Sequence, residues 1–286
     1  MSLHFKALQR FLVQSAGLAF DEGQVYLAES RLLPLAERHG LGNVNALVNR
    51  LQDGGDPELA RAAIEAMTTH ETFFFRDRAP FDAIRNVILP RLMALRADRR
   101  KLRIWCAACS TGQEPYSLSM ILDEEARKVA GWNIEILATD LSRPAIEAAR
   151  NGYYSQFEVQ RGLPVANLLR YFQREGEGWR LGEHLRQRVK FQTRNLVEDF
   201  SSLGVFDLIL CRNVLIYFDG RTRRDVLARL GGQLADQGYC ALGASERIAG
   251  GMANLHPLPL HASIGVKTLP ANRLATPTGP GNSWVH

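Results

Sequence analysis

No apolar run in the 286 residues approaches the length of a membrane-spanning helix, and the first residues carry neither the basic start nor the cleavage site of a secretory leader. Direct membrane insertion is therefore not expected, and the cytoplasm is the expected location. Cysteine is scarce: Cys106, Cys109, Cys211 and Cys240 are the only four, each on or at the end of a stretch that reads as a strand. Without a leader they are expected to be reduced and buried. The Cys106-x-x-Cys109 spacing lacks two further ligands for zinc, and its first cysteine lies inside a strand rather than opening a helix. Neither a metal nor redox use is expected. A full G-x-G-x-x-G is missing, which leaves dinucleotide binding poorly supported. No Ser-His-Asp or Cys-His pattern for covalent catalysis is present. Aromatic–basic interleaving and nucleic-acid modules are absent too, so nucleic acid is not an expected partner.

What is present is the composition of a globular protein, 46% hydrophobic and 23% charged, in a chain long enough for one large domain or two modest ones. The net charge of +5 is unevenly spread. Nine Lys or Arg residues crowd the stretch from Arg76 to Arg103, against Asp77, Asp82 and Asp98. Such a run is ordinarily a solvated helix face; it also suits an anionic partner.

The chain is organised around residues 102–116. An apolar run over 102–108 reads as a buried parallel strand. Ser110, Thr111 and Gly112 then turn tightly into a helix expected from Glu114 to about Val129, with Pro115 early, where its missing N–H costs nothing. The small residues of the turn are expected to let a ligand approach the backbone. A second strand over Asn133–Asp140 begins about 20 residues beyond the turn and ends in an acid, where a carboxylate can take two ribose hydroxyls. The alternative for Asp140, capping the next helix, is a job better suited to Ser142. Further strands are expected over 189–196, 206–213 and 238–245, with a closing hairpin over 258–266. The run over 206–213 ends abruptly in Arg212-Asn213, and polar residues at the carboxyl end of a buried strand belong to a crevice.

Three motifs, A-x-C-S-T-G-Q-E-P-Y at 107–116, T-T-H-E-T-F-F-F-R at 68–76 and F-D-L-I-L-C-R-N-V-L-I-Y-F at 206–218, resemble those of the chemotaxis receptor glutamate O-methyltransferases, the CheR family. The resemblance runs in order to about Ile248 and implies an α/β fold: a class I S-adenosylmethionine-dependent methyltransferase (Rossmann-like) sheet with a small N-terminal all-helical domain and an inserted antiparallel hairpin. It also implies a set of site residues. His70, Thr72 and Arg76 would contact S-adenosylmethionine, with Arg76 and Glu114 near its amino-acid part and Asp140 on its ribose. Asn195 and Leu196 would flank the adenine, and Arg212 and Asn213 would lie at the crevice floor. The family often has Asn where this chain has His70. Tyr217 follows the strand at 206–213 where an acceptor can sit; a packed aromatic is the alternative reading. Arg76 and Tyr217 are the expected catalytic residues. The cofactor is S-adenosylmethionine with no metal, and the partners are cytoplasmic helices of methyl-accepting chemoreceptors.

The expected organisation is a helical domain over 1–67, a linker and basic helix over 68–101, a catalytic domain over 102–269 and a flexible tail over 270–286. Helices are read near Phe5–Leu12 by spacing, over 24–39 before Gly40 and Gly42, and from Asp56-Pro57 to Met67. Thr68 and Glu71 fit a capping box, and at least two of Phe73, Phe74 and Phe75 are expected in the core. Residues 171–190, with Gly176, Gly178 and Gly182, read as the inserted hairpin. Family members that dock on a receptor's C-terminal peptide carry a longer loop there, so capture of a C-terminal pentapeptide is not expected. Two rivals stay open: a class I methyltransferase of another substrate, and a non-catalytic regulator that binds the cofactor or a receptor.

Overall fold

Four helices open the chain, and each is defined by its caps and its apolar face. The computed structural model describes residues 3–247, 255–258 and 261–267. The first helix, α1 (Leu3–Ala16), buries Ala7, Leu8 and Leu12. Helix α2 (Val25–Arg38) buries Ala28, Leu32, Leu35 and Ala36. Asn43 starts α3 (Val44–Gln52) by accepting from Ala46 N at 2.9 Å. Asp56 starts α4 (Pro57–Met67) by accepting from Leu59 N at 3.0 Å, with Pro57 in the first turn. Their apolar faces meet in one core around Leu12, Leu32, Leu47 and Leu59. Burying each such leucine is worth about 1.5–3 kcal/mol, more than the intrinsic propensity of helices this short supplies. Helix α3 is an addition to the sequence reading, because a stretch this brief shows too few apolar repeats.

Residues 68–73 are extended rather than helical, so the expected capping box does not form. The Thr68 hydroxyl donates to Ile64 O at 2.8 Å, closing α4 behind it, and Glu71 pairs with Arg161 at 2.8 Å. Phe74 is fully buried and Phe75 packs against the same core, whereas Phe73 lines a cavity described below. Helix α5 (Ala79–Ala83), a widened π turn over Ile84–Ile88 and α6 (Leu89–Leu95) then run on continuously. The widened turn lies just ahead of Pro90, which has no N–H to return to Asn86.

The main sheet has seven strands. In chain order the strands of the molecule are β1 (Lys101–Ala107), β2 (Asn133–Asp140), β3 (Tyr153–Ser155), β4 (Phe172–Glu175), β5 (Gly178–Leu181), β6 (Val189–Thr193), β7 (Phe206–Cys211), β8 (Leu234–Leu242), β9 (Leu255–Leu258) and β10 (His261–Lys267). The large sheet has the order β6-β2-β1-β7-β8-β10-β9, parallel from β6 to β8 and antiparallel through β10 and β9. Helix α7 (Gln113–Glu124) follows β1, and α8 (Arg143–Asn151) follows β2. The first of these ends at Glu124, short of Val129; residues 125–128 continue as turns, and Gly131 closes the segment at a φ of 77°. Apolar clusters cover both faces of the sheet, as β1 and β7 require by being buried along nearly their whole length. The expected hairpin is β4 paired with β5, and β3 joins as a third strand in the order β3-β5-β4. This small sheet is anchored to the turn after β1 by Tyr154, whose hydroxyl donates to Thr111 O at 2.9 Å. The tail expected to be flexible lies outside the described residues.

The basic stretch is less free than its composition suggests. Buried Asp207 accepts from Arg96 Nε at 2.8 Å, Arg99 Nη2 at 2.7 Å and Arg103 N at 2.9 Å, and Arg85 pairs with Glu124. Arg96, one of the nine basic residues of this stretch, has a side chain only 13% accessible. It ties α6 to the sheet and is not open to a partner.

Candidate functional site

Parallel pairing brings the ends of the central strands together. Ala107 is in register with Thr139 on one side and Cys211 on the other, and Asp140 with Thr193. Directly after β1 the chain takes left-handed dihedrals at Ala108, Ser110 and Gly112 (φ 59°, 50° and 94°), which folds it back into α7. Non-glycine residues rarely adopt such angles, so the turn is held from outside. The hold is Asp140: one carboxylate oxygen accepts from Ser110 N at 2.7 Å, the other from Ser142 N at 2.9 Å. The Ser142 hydroxyl caps α8 by accepting from Ala145 N at 3.0 Å. Burial pushes the Asp140 carboxyl above the ordinary carboxylate value, and the N–H groups of Ser142 and Ser110 oppose that rise.

Gly112 has a different task from the expected one. It does not line the cavity; a Cβ there would lie 2.9 Å from the Ala149 Cβ and 3.2 Å from the Tyr116 ring. The glycine lets α7 and α8 pack together. Cys106 and Cys109 are fully enclosed, and burial drives both thiols well above their usual value.

A second acid, Glu114, stands in the first turn of α7. Its partner is Arg212, 1% accessible at the side chain, whose Nη1 donates to Glu114 Oε2 at 2.9 Å. Arg212 Nη2 donates to Arg76 O at 2.7 Å and to Asp77 Oδ2 at 2.9 Å. The linker it grips holds Phe75, Asp77 and Arg78 at positive φ (51°, 66° and 36°). Burial raises the Glu114 carboxyl, and the charge and hydrogen bond of Arg212 lower it again. Arg76 donates to Glu71 O at 2.7 Å, with its guanidinium 5.4 Å from the Phe73 ring centroid. Arg76 is thereby held against the Phe73 ring.

The helical domain contributes an acid that sequence reading missed. Glu65, on α4, accepts from the Ser142 hydroxyl at 2.6 Å and lies 3.1 Å from His70 Nε2. Burial favours its neutral form, but the hydrogen bonds from His70 and Ser142 outweigh burial and leave its pKa lowered. The bond to Glu65 raises the His70 pKa against the effect of burial. At the other side, Asn195 Nδ2 donates to Ser15 O at 2.7 Å, tying the end of β6 to α1.

One cavity, with an empty volume of about 1180 Å³ including its mouth, brings all the expected residues together: His70, Thr72, Arg76, Glu114, Asp140, Asn195, Leu196, Arg212, Asn213 and Tyr217. The helical domain closes one side with Leu18, Phe20, Gln24 and Arg31, none of which its sequence singles out. The donor set fits a ligand with a vicinal diol at one end and a charged amino-acid group at the other. Each Asp140 oxygen keeps accepting capacity beyond its N–H partner. Arg212 Nε is buried without a partner among the described residues.

A mostly parallel sheet with an acid-marked crevice at its carboxyl edge belongs to the nucleoside-binding α/β folds, the S-adenosylmethionine-dependent methyltransferases among them. Residues 70–261 match the CheR methyltransferase SAM-binding domain and residues 3–68 the CheR methyltransferase all-alpha domain, so the chain belongs to the CheR methyltransferase family. It is 42% identical over 250 residues to chemotaxis protein methyltransferase 1 of Pseudomonas aeruginosa, covering 85% of this chain and 90% of that protein. It is 40% identical over 253 residues to chemotaxis protein methyltransferase Cher2 of Pseudomonas putida, covering 87% and 92%. With the chemotaxis protein methyltransferase of Vibrio parahaemolyticus it shares 36% identity over 249 residues, covering 86% and 90%.

Proposed function

We propose that this chain transfers methyl groups from S-adenosylmethionine to glutamate side chains of chemotaxis receptors, forming glutamyl methyl esters. The observation that carries this reading is Asp140, pinned by two backbone N–H groups in the same cavity as the Glu114–Arg212 pair. Asp140 would hold the ribose, with Asn195 and Leu196 at the adenine. Arg76 and Glu114 would hold the amino-acid end, beside His70 and Thr72, with Arg212 and Asn213 at the crevice floor. S-adenosylmethionine supplies a methyl group on a sulfonium, ready for direct displacement.

The acceptor needs little activation. A glutamate carboxyl with an unperturbed pKa near 4.3 is ionised at neutral pH, so no general base is required. The protein's share of the work is to align the two reactants and to keep water from the anion. Tyr217, which lines the cavity and packs partly buried against the helical-domain core, is the residue we place beside the incoming carboxylate.

Receptor methylation regions present acidic helical surfaces. The exposed members of the basic stretch, among them Arg78, Arg91 and Lys101, suit such a surface, and this attraction fades beyond about 10 Å at 0.1 M salt. With a short hairpin at 171–190, the contact does not rest on a receptor's C-terminal peptide. Among the described residues no helix is long and apolar enough to cross a membrane, which accords with work at the cytoplasmic end of a receptor.

The test is incubation of the purified chain with methyl-labelled S-adenosylmethionine and receptor cytoplasmic domains, with and without the C-terminal tail. Base-labile label on both substrates is the expected result. Cofactor binding without transfer supports the regulator instead, and label lost with the tail returns the docking role to the hairpin.

A further inference from the structure

Glu246 stands outside the cavity lining, yet its carboxylate is almost wholly occupied by the cavity's floor. It is 7% accessible. Oε2 accepts from Gly243 N at 2.7 Å and from Asn213 N at 2.9 Å; Oε1 accepts from Leu215 N at 2.8 Å and from Ile216 N at 3.3 Å. One side chain thus joins the turn after β8 to the turn after β7, two neighbouring parallel strands in which Cys211 is in register with Leu242. The approach is close. A Cβ on Gly243 would lie 2.7 Å from Asn213 Nδ2, 2.8 Å from Asn213 N and 2.8 Å from Glu246 Oε2.

The clamped segment is the one that carries Asn213 and Tyr217 into the cavity. Asn213 has a φ of 58°, a left-handed angle that asparagine adopts more readily than most other non-glycine residues. Its N–H, together with those of Leu215 and Ile216, donates to the Glu246 carboxylate. Beyond Ile216 the segment meets the helical domain, where Ala19 N donates to Tyr217 O at 2.8 Å. A carboxylate is the one side chain that can accept four N–H groups at once from two directions, so an amide at this position cannot replace it.

We infer that Glu246 is a positioning residue for methyl transfer: it fixes the 213–216 turn and through it sets Asn213 and Tyr217 at the acceptor side of the crevice. This rests on the methyltransferase reading above. Asp140, Ser110 and Asn195, which would carry the adenosine end, hang from β1, β2 and β6 and do not touch Glu246. The inference therefore separates turnover from cofactor binding.

The experiment compares wild-type chain with Glu246→Gln in three measurements: thermal unfolding, calorimetric binding of S-adenosylhomocysteine, and turnover on a receptor cytoplasmic domain. The expected result is a kcat per cofactor-binding molecule lower on the order of 100-fold, because misplacement by about 1 Å is that costly. The S-adenosylhomocysteine Kd should stay within about threefold of wild type, because the adenosine end hangs from β1, β2 and β6 rather than from the 213–216 turn. Should Glu246→Gln fail to fold, Glu246→Asp keeps the charge but is one methylene too short to span both turns, and the same split is expected. A folded variant whose turnover per binding-competent molecule is within about twofold of wild type overturns the inference. Turnover that falls only in proportion to folded, cofactor-binding protein overturns it as well. A wild-type chain that binds S-adenosylhomocysteine but methylates no receptor overturns the functional reading and the inference together.

Discussion

Asp140 and Glu114 are both buried acids in one cavity, and the protein compensates them in unlike ways. Asp140 is met by neutral backbone donors, Ser110 N and Ser142 N, which belong to the two βα turns themselves. Glu114 is met by a buried guanidinium, and Arg212 in turn needs Asp77 and the Arg76 carbonyl. One end of the crevice is set by main-chain geometry; the other is set by a chain of charges reaching into a linker with three left-handed residues. Removing one charge from such a network strands the others, whereas changing an acid that meets only N–H groups stays local.

The largest effect is therefore expected at Arg212. Arg212→Met leaves Glu114 without its counter-charge in the interior, and Asp77 nearer the surface without its partner, and should cost about 3–5 kcal/mol of stability, read from urea unfolding. Glu114→Gln, which leaves the guanidinium its other two partners, should cost clearly less. Equal losses in the two variants would break the comparison.

Asp140→Asn comes next. One oxygen and its N–H bond survive, so the fold should tolerate the change, but a charge-assisted contact to the ligand is lost. Binding of S-adenosylhomocysteine should weaken by about 1.5–3 kcal/mol, measured by calorimetry. Because burial holds the Asp140 and Glu114 carboxyls above their ordinary values, wild-type affinity should begin to fall on the acid side earlier than for an exposed carboxylate. Protonation there removes the charge that the ligand needs.

These contrasts also show which parts were legible in the sequence. The strand ends at Asp140 and Arg212-Asn213 could be read because a buried run that stops in polar residues has few explanations other than a crevice. The turn at 110–112 could be read as well, although Gly112 serves helix packing and not the ligand. Glu65 and Glu246 could not. A single glutamate on an amphipathic helix looks like a solvated face, and an acid after Gly243-Ala244-Ser245 looks like loop. Only the fold shows that their oxygens meet N–H and O–H groups from distant segments. Strand β3 is three residues long, too short for any period to register. Arg96 misled by composition, since nothing local marks Asp207 as its buried partner.

The smallest expected effect concerns the link between domains. The Glu65–His70 contact raises the His70 pKa, so its stabilisation is complete below the unfolded value of 6.5 and is lost as pH rises through the elevated folded value. Glu65, with its pKa lowered, keeps its own contribution above 4.5 and loses it as pH falls through the depressed value. Glu65→Gln should cost about 1 kcal/mol near pH 6 and less near pH 8. Thermal melts across that range check it; a difference that grows with pH would place the coupling elsewhere.

The central claim is that the two ends of the crevice hold two ends of one ligand. The direct measurement is binding of S-adenosylhomocysteine and of 5′-methylthioadenosine, which lacks the amino-acid end, to wild type, Asp140→Asn and Arg76→Lys. Asp140→Asn should weaken both ligands by the same factor. Arg76→Lys should weaken only S-adenosylhomocysteine, because a point charge cannot reproduce the planar fork. If Arg76→Lys weakens methylthioadenosine equally, or Asp140→Asn spares it, the assignment of the two ends is wrong.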